Sequence, residues 1–358
     1  MAITDKALFE QLEPIASLSE GRKKELAELC FVEKVNKDID PLRMNVSKAA
    51  QALYLLKGDL GLRYADDKKA ILRGGTDAAK HPLNHHPQLQ DSIALTEVDI
   101  MRVDMDLLDI MMTWDQLSGS DEANPNNAVK VMKQNERSTG DWMNDTTVFS
   151  AFNLKSGVFS RLPPANIESM FKRMAKIPVT AGQVMMQQGG EGDYYYLIEK
   201  GTAEVTRVVD TNKPSVLLAT LKEGNSFGEE ALVSDNKRNA TVTMKTEGEL
   251  LRLNKKDFVE LLKVPLINQV DIQDAQAKIA AGAIWGDVRL PSEYKYDHID
   301  GAINLPLNEI HKLAGELDKT QEYVLYCQTG RRSSAAAFIL AEMGLNGFVL
   351  LGGIRNFA

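Results

Sequence analysis

The chain has 358 residues, which suits two or three domains better than a single core. Its composition, 44% hydrophobic and 26% charged, is that of globular protein, and a net charge of −8 argues against nucleic acid or an anionic membrane as a general partner. Two cysteines, Cys30 and Cys327, exclude a disulfide framework and suit a reducing compartment.

At the N-terminus, Met1–Lys6 reaches charge without the apolar core of a signal peptide, and no run approaches the roughly 18 apolar residues of a membrane span. A cytoplasmic location is expected. Leu26, Leu29 and Cys30 share one face of a helical stretch from Glu20, so Cys30 reads as core. Leu53-Tyr54-Leu55-Leu56-Lys57-Gly58 and Ile100-Met101-Arg102-Val103 are β-prone. His81, His85 and His86 cluster, but Pro82 and Pro87 break the segment, and a solvated loop rather than a metal site is expected. Asp104, Asp106 and Asp109 read as a solvated face. Polar Leu117–Gly140 reads as linker, which makes 1–116 a first domain and 117–148 the connection to a second.

In the middle, Ile167, Met170, Phe171 and Met174 predict an amphipathic helix over Pro164–Met174. Short β-prone runs follow at Gln183–Met186, Tyr194–Ile198, Ala203–Val209, Ser215–Leu221, Ala240–Met244 and Glu249–Leu253, with glycines between them. They predict a small antiparallel barrel or jelly roll over 149–264, closed by a helix at Lys256–Lys263. Within it, Phe227-Gly228-Glu229-Glu230-Ala231-Leu232 precedes Lys237-Arg238-Asn239-Ala240. Backbone N–H groups after a glycine can cradle a phosphate, Arg238 can neutralise it, and Glu229 can accept from a sugar hydroxyl. These residues, with the nine-residue step from Glu229 to Arg238, resemble the phosphate-binding cassette of the cyclic-nucleotide-binding domain family. The resemblance implies that Glu229 bonds the ribose 2′-hydroxyl and Arg238 the cyclic phosphate. Phe227, Gly228, Glu230, Ala231, Asn239 and Ala240 would line the site, and cyclic AMP is preferred over cyclic GMP. Glu230 and Asn239 depart from the family's usual residues. The alternative is a barrel without ligand, with Glu229 and Arg238 paired on its surface.

Against this pattern, the first domain reads as a worn second copy. Leu53–Gly58 echoes Tyr196–Gly201, Ile100–Val103 echoes Leu250–Leu253, and Asp106-Leu107-Leu108 echoes the start of the closing helix. Where the cassette should stand lies Gly75–Pro82, with no glutamate–arginine pair. This copy is expected to bind no nucleotide and to pack against a partner domain or a second subunit.

Val264–Val270 then reads as a short, stiff joint to a last domain at 269–358. There, the buried strand Tyr323–Tyr326 runs into Cys327-Gln328-Thr329-Gly330-Arg331-Arg332-Ser333-Ser334 and a helix stopped by Gly344. A cysteine between a strand end and a helix start meets converging N–H groups, a helix dipole and two arginines, all of which favour thiolate. Together with Asp287-Val288-Arg289, His298–Pro306 and Leu351–Ile354, the loop resembles the rhodanese family of sulfurtransferases. The resemblance implies an α/β domain with a parallel sheet and a persulfide carried on Cys327. Gln328, Thr329, Gly330, Arg331, Arg332 and Ser333 would bind the anionic donor. Asp287, Arg289 and His298 would have structural roles, and Phe357 stands where tryptophan is usual. A cysteine-dependent phosphatase would need arginine at Ser333 and is disfavoured.

The expectation for the whole chain is a cytoplasmic sulfurtransferase. It would move sulfane sulfur from thiosulfate or a polysulfide to a thiophilic acceptor, under control of cyclic nucleotide at Glu229/Arg238. No cofactor, metal, nucleic acid or membrane partner is expected, and a homodimer through the barrel-like domains is allowed. The alternative is a non-enzymatic signalling protein that senses sulfur species and nucleotide. A transcription factor ranks last, because no basic recognition helix follows Lys263.

Overall fold

The computed structural model describes residues 6–44, 50–65, 67–83, 88–120, 149–155, 159, 162–209, 214–234, 237–262 and 267–356. The chain divides into two compact units, one made of Met1–Gly140 with Ile267–Ala358, the other of Asp141–Leu266.

In the first unit, α1 (Glu20–Leu29) leads into β1 (Phe31–Val35), β2 (Gln51–Lys57), β3 (Asp59–Tyr64), β4 (Lys69–Arg73), β5 (Leu89–Ala94) and β6 (Val98–Asp104). α2 (Met105–Ser120) follows directly. The strands form antiparallel sheets ordered β1-β6-β2 and β4-β3-β5. Leu53, Leu55, Leu60, Leu62 and Ile100 pack in one core between them, as period-two alternation requires. Ala52 and Tyr54, on the other face of β2, are buried too, and the Tyr54 hydroxyl donates to the Glu13 carbonyl at 3.1 Å. Cys30 ends α1 and is buried as expected.

Three expectations for this region need correction. The helix runs on to Ser120, and Leu117 and Ser118 are buried, so the linker does not begin at 117. The reason is that α2 is apolar on most sides. Leu107, Leu108, Ile110, Met111, Met112 and Trp114 are all buried, the mark of a helix covered all round. Asp109, on the same helix, is also buried and not part of a solvated face. His81 is half-buried and stacks on Tyr296 with ring centroids 3.7 Å apart. His85, His86, the linker from 121 to 148 and Phe357 lie outside the described residues. At the place of the missing cassette, Asp77–Lys80 forms a 3-10 turn whose Lys80 carbonyl accepts from the Glu13 N–H.

In the second unit, α3 (Ala151–Lys155) and α4 (Ile167–Arg173) precede β7 (Ala175–Val179), β8 (Val184–Met186), β9 (Tyr194–Lys200), β10 (Ala203–Arg207), β11 (Val216–Leu221) and β12 (Ser226–Phe227). α5 (Glu229–Ser234), β13 (Thr241–Met244), β14 (Gly248–Asn254) and α6 (Lys255–Leu262) complete it. The sheets are ordered β11-β10-β13-β8 and β12-β9-β14-β7, and Tyr196, Ile198, Phe227, Val242 and Leu250 share their core. The helix predicted from Pro164 begins as a 3-10 turn, Pro164–Asn166. β7 was not anticipated, because Pro178 interrupts its apolar pattern. It lies at the edge of its sheet, where a missing N–H is tolerated.

The remainder of the first unit is β15 (Asn268–Val270), α7 (Ile272–Ala280), β16 (Ile284–Asp287), α8 (Pro291–Tyr296), β17 (Ile303–Asn304), α9 (Ile310–Leu313), β18 (Glu322–Tyr326), α10 (Arg331–Glu342) and β19 (Asn346–Leu350). The sheet, ordered β15-β19-β18-β16-β17, is parallel, as helical crossovers demand. β15 pairs with β19, so residues 268–270 belong to the sheet and not to a joint. β18 is central and ends at Cys327, and open α/β sheets bind ligands beyond the carboxyl ends of their strands. Among the described residues no helix is long and apolar enough to cross a membrane.

Candidate active site and nucleotide pocket

β18 delivers Cys327 to a tight turn that Gly330 closes at φ 101°, in the left-handed region, as the residue before α10. A side chain there would be strained. The turn aims the Gly330 N–H at the Cys327 sulfur, 3.1 Å away, and Ser333 Oγ lies 3.7 Å from it. Gly330's carbonyl accepts from Ser333 Oγ and Ser334 Oγ at 3.1 and 2.7 Å. From the other side, the Ile354 N–H donates to the Cys327 carbonyl at 2.8 Å. Gly353 makes that approach possible, since a Cβ on it would sit 2.4 Å from the same carbonyl oxygen. Cys327 is fully buried, while Gln328, Thr329 and Arg331 are half-buried.

Arg332 departs from its expected role. Its guanidinium is buried and donates to Glu293 on α8 at 2.7 and 3.0 Å, to Asp109 on α2 at 3.1 Å and to Gln116 at 3.4 Å. Thr329 Oγ1 donates to the second oxygen of Asp109. A buried cation must be paired, and here two carboxylates take the donors meant for substrate. Burial works against charge on Arg332, but Glu293, Asp109 and the nearby Cys327 sulfur more than offset it and hold it as a cation. Burial likewise pushes the Glu293 carboxyl up, and Arg332 followed by Arg289 brings it below its ordinary value. Glu293 also accepts from the Leu290 N–H at 3.0 Å, at the start of α8. Proline then glutamate in Leu-Pro-Ser-Glu was a legible helix-start signal for it. Nothing in the sequence near Asp109 or Gln116 signals their use.

Asp287 and Arg289 form a buried pair, with Arg289 also donating to the Asp297 carbonyl at 2.6 Å. Asn304 Nδ2 bridges the carbonyls of Asp287 and Arg289, which pins the turn after β16. His298 is exposed, stacks on Tyr294 and bonds its carbonyl through Nδ1 at 2.8 Å.

In the second unit, a cavity of about 260 Å³ opens beside β12 and α5. Phe227, Gly228, Glu229, Ala231, Arg238, Asn239 and Ala240 all line it; the side chain of Glu230 lies outside the described residues. Arg238 is buried and not paired with Glu229 on a surface. It donates to the carbonyls of Gly228 and Tyr194 at 2.7 and 2.8 Å and to Asp193 at 3.2 Å. Gly228 sits at φ 95°, and a Cβ there would meet the Tyr194 carbonyl at 2.9 Å and Arg238 at 3.0 Å. Arg238 Nε and Glu229 Oε2 are buried with no protein partner. A donor and an acceptor left open in one cavity fit a ligand that brings both a phosphate and a hydroxyl.

Residues 176–264 match the cyclic nucleotide-binding domain family, and residues 271–358 match the rhodanese-like domain family. The chain is similar to the thiosulfate sulfurtransferase PspE of Escherichia coli (strain K12), 39% identical over 82 residues, 22% of this chain and 79% of that one. It is similar to the cAMP-dependent protein kinase regulatory subunit of Yarrowia lipolytica, 43% identical over 84 residues, 24% of this chain and 21% of the subunit. With the same subunit of Blastocladiella emersonii it shares 34% identity over 115 residues, 32% of this chain and 28% of the subunit. It thus spans less than a third of the length of these two regulatory subunits. A cyclic nucleotide-binding domain is followed here by a C-terminal rhodanese-like domain, and through that C-terminal domain the chain belongs to the rhodanese-like family.

Proposed function

We propose that the chain is a sulfurtransferase that carries sulfane sulfur as a persulfide on Cys327 and is regulated by a cyclic nucleotide at Glu229 and Arg238. The observation that carries the reading is the Gly330 N–H aimed at the Cys327 sulfur from 3.1 Å, since an amide so directed can donate to a sulfur nucleophile at a strand-to-helix turn. With thiosulfate, the Cys327 thiolate attacks the outer sulfur, a new S–S bond forms, and the old S–S bond breaks with its electron pair leaving on sulfite. Cyanide or a thiolate acceptor then takes the outer sulfur and restores the Cys327 thiolate. Gly330, Thr329 and Arg331 would contact the donor, with Gln328 and Ser333 beside them.

At the other site, Arg238 would pair with the cyclic phosphate and Glu229 with the 2′-hydroxyl, with cyclic AMP preferred. The N-terminal sheets would be a second, worn copy of this barrel without ligand, and the same domains would serve a homodimer. Regulation requires unequal nucleotide affinity for two arrangements of the chain, because equal affinity shifts nothing. Thiosulfate:cyanide transfer by the full chain, with and without cyclic AMP and cyclic GMP, tests the reading. Activity that changes with nucleotide and vanishes in Cys327→Ser supports it; no transfer under any condition overturns it. A second reading, a sensor without turnover, is favoured by the buried sulfur and by the two carboxylates on Arg332. In that case Cys327 accepts one sulfur and holds it without release to cyanide.

A further inference from the structure

Both oxygens of Asp109 are spent on the cysteine loop. One accepts from Arg332 Nε at 3.1 Å, and the other accepts from Thr329 Oγ1. α2 packs along α10 and along the 3-10 turn Leu307–Glu309, which brings this carboxylate to the loop from a part of the chain 223 residues away. Around Arg332 one positive charge meets two negative ones, Asp109 and Glu293. Two carboxylates therefore offset the charge that the sequence places at Arg332, while Arg289 also acts on Glu293 and Arg331 stands half-buried at the start of α10. In a buried setting, like charges are weakly screened.

Resting on the sulfur-transfer reading, we propose that Asp109 is a specificity-determining residue of the sulfur site: a charge filter that disfavours the thiosulfate dianion and favours an uncharged organic hydropersulfide. In that step the Cys327 thiolate attacks the outer sulfur of R–S–SH, and the Sγ–S bond forms as the S–S bond breaks. The electron pair leaves on the thiolate RS⁻, and the proton stays on the transferred sulfur, so Cys327 becomes S–SH.

The filter is tested apart from turnover by alkylating Cys327 in the full chain with neutral iodoacetamide and with anionic iodoacetate, each rate being read at Cys327 by peptide mass. Both reagents need the thiolate, so a changed thiol acidity cancels in the ratio of the two rates. Asp109→Asn keeps an oxygen for Thr329 or Arg332 and removes the charge. It should raise the iodoacetate-to-iodoacetamide ratio by about tenfold, the order expected for one nearby charge at an intermediate effective dielectric. Asp109→Glu restores the charge and should return the ratio toward wild type, and Asp109→Ser serves where Asn does not fold. In parallel, kcat/KM for thiosulfate should rise relative to that for benzenethiosulfonate, a single anion. A ratio within twofold of wild type in both neutral variants overturns the filter, as do equal gains for the two alkylating reagents, which would mark simple loosening. If the ratio shifts but Cys327 takes sulfur from neither donor, the filter stands and the sulfurtransferase reading falls.

Discussion

Glu293 grips Arg332 with both carboxylate oxygens, 2.7 and 3.0 Å from the two terminal nitrogens. The grip fixes the first turn of α10 against the first turn of α8, and the cysteine loop lies directly before that turn. Geometry at the sulfur therefore depends on an ion pair that never touches it.

Removing one partner of such a pair strands the other. Glu293→Ala should lower the unfolding free energy by about 3–5 kcal/mol, with Glu293→Gln costing less because it still bonds; urea denaturation measures both. The acid limb carries the same signature. The folded carboxyl titrates below its ordinary value of 4.5, so the unfolded chain binds more protons and the pair's contribution is full above that pH. As pH falls through the lower, folded value the contribution is lost, and the stability gap between wild type and Glu293→Gln should narrow.

Gly353 takes no larger residue without a shift of the loop. In Gly353→Ala the Cβ would lie 2.4 Å from the Cys327 carbonyl, at a backbone φ of 67°. The loop must move, at a cost of roughly 1–3 kcal/mol. Its thermal midpoint should drop, and iodoacetamide should reach Cys327 faster than in wild type.

Arg238→Ala should weaken cyclic AMP binding by at least about tenfold, the worth of one buried charge-assisted contact, by calorimetry on the full chain. Gly228→Ala should weaken it too, because the added methyl presses on the Tyr194 carbonyl and on Arg238 itself. Unchanged affinity in Arg238→Ala would remove the nucleotide from this cavity.

The two cysteines should label unequally. Burial pushes the Cys30 thiol up from 9.0 to about 11, only partly countered by a backbone hydrogen bond. Near neutral pH almost none of it is thiolate, so labelling at Cys30 should grow only as the pH approaches that value. Peptide mapping after iodoacetamide treatment near pH 8 should find Cys327 modified first.

Much of the site was legible from local order alone. Glycine, glutamate and arginine in the cassette, and cysteine, glycine and serine in the loop, act within a turn or two of one another, so their chemistry is written in their spacing. The β-prone runs that form β2 and β6 are local in the same way, whereas Leu29, read on one helical face with Leu26 and Cys30, is exposed. Asp109 was misread for a different reason: grouped with Asp104 and Asp106 it looks like one more solvated carboxylate, and although the apolar residues on either side of it in α2 signal burial, they say nothing of its partner. β7 was missed because its proline breaks a pattern that only its place at a sheet edge makes harmless.

By itself the sequence placed Cys327 at a strand-to-helix turn and set Gly228, Glu229 and Arg238 around one cavity, because residue type and short spacing set those. Tertiary structure alone decided what charge surrounds the sulfur. A guanidinium's effect depends on who shares its hydrogen bonds, and Arg332 shares them with carboxylates on α2 and α8. Partners brought together by folding across such separations leave no trace in local spacing.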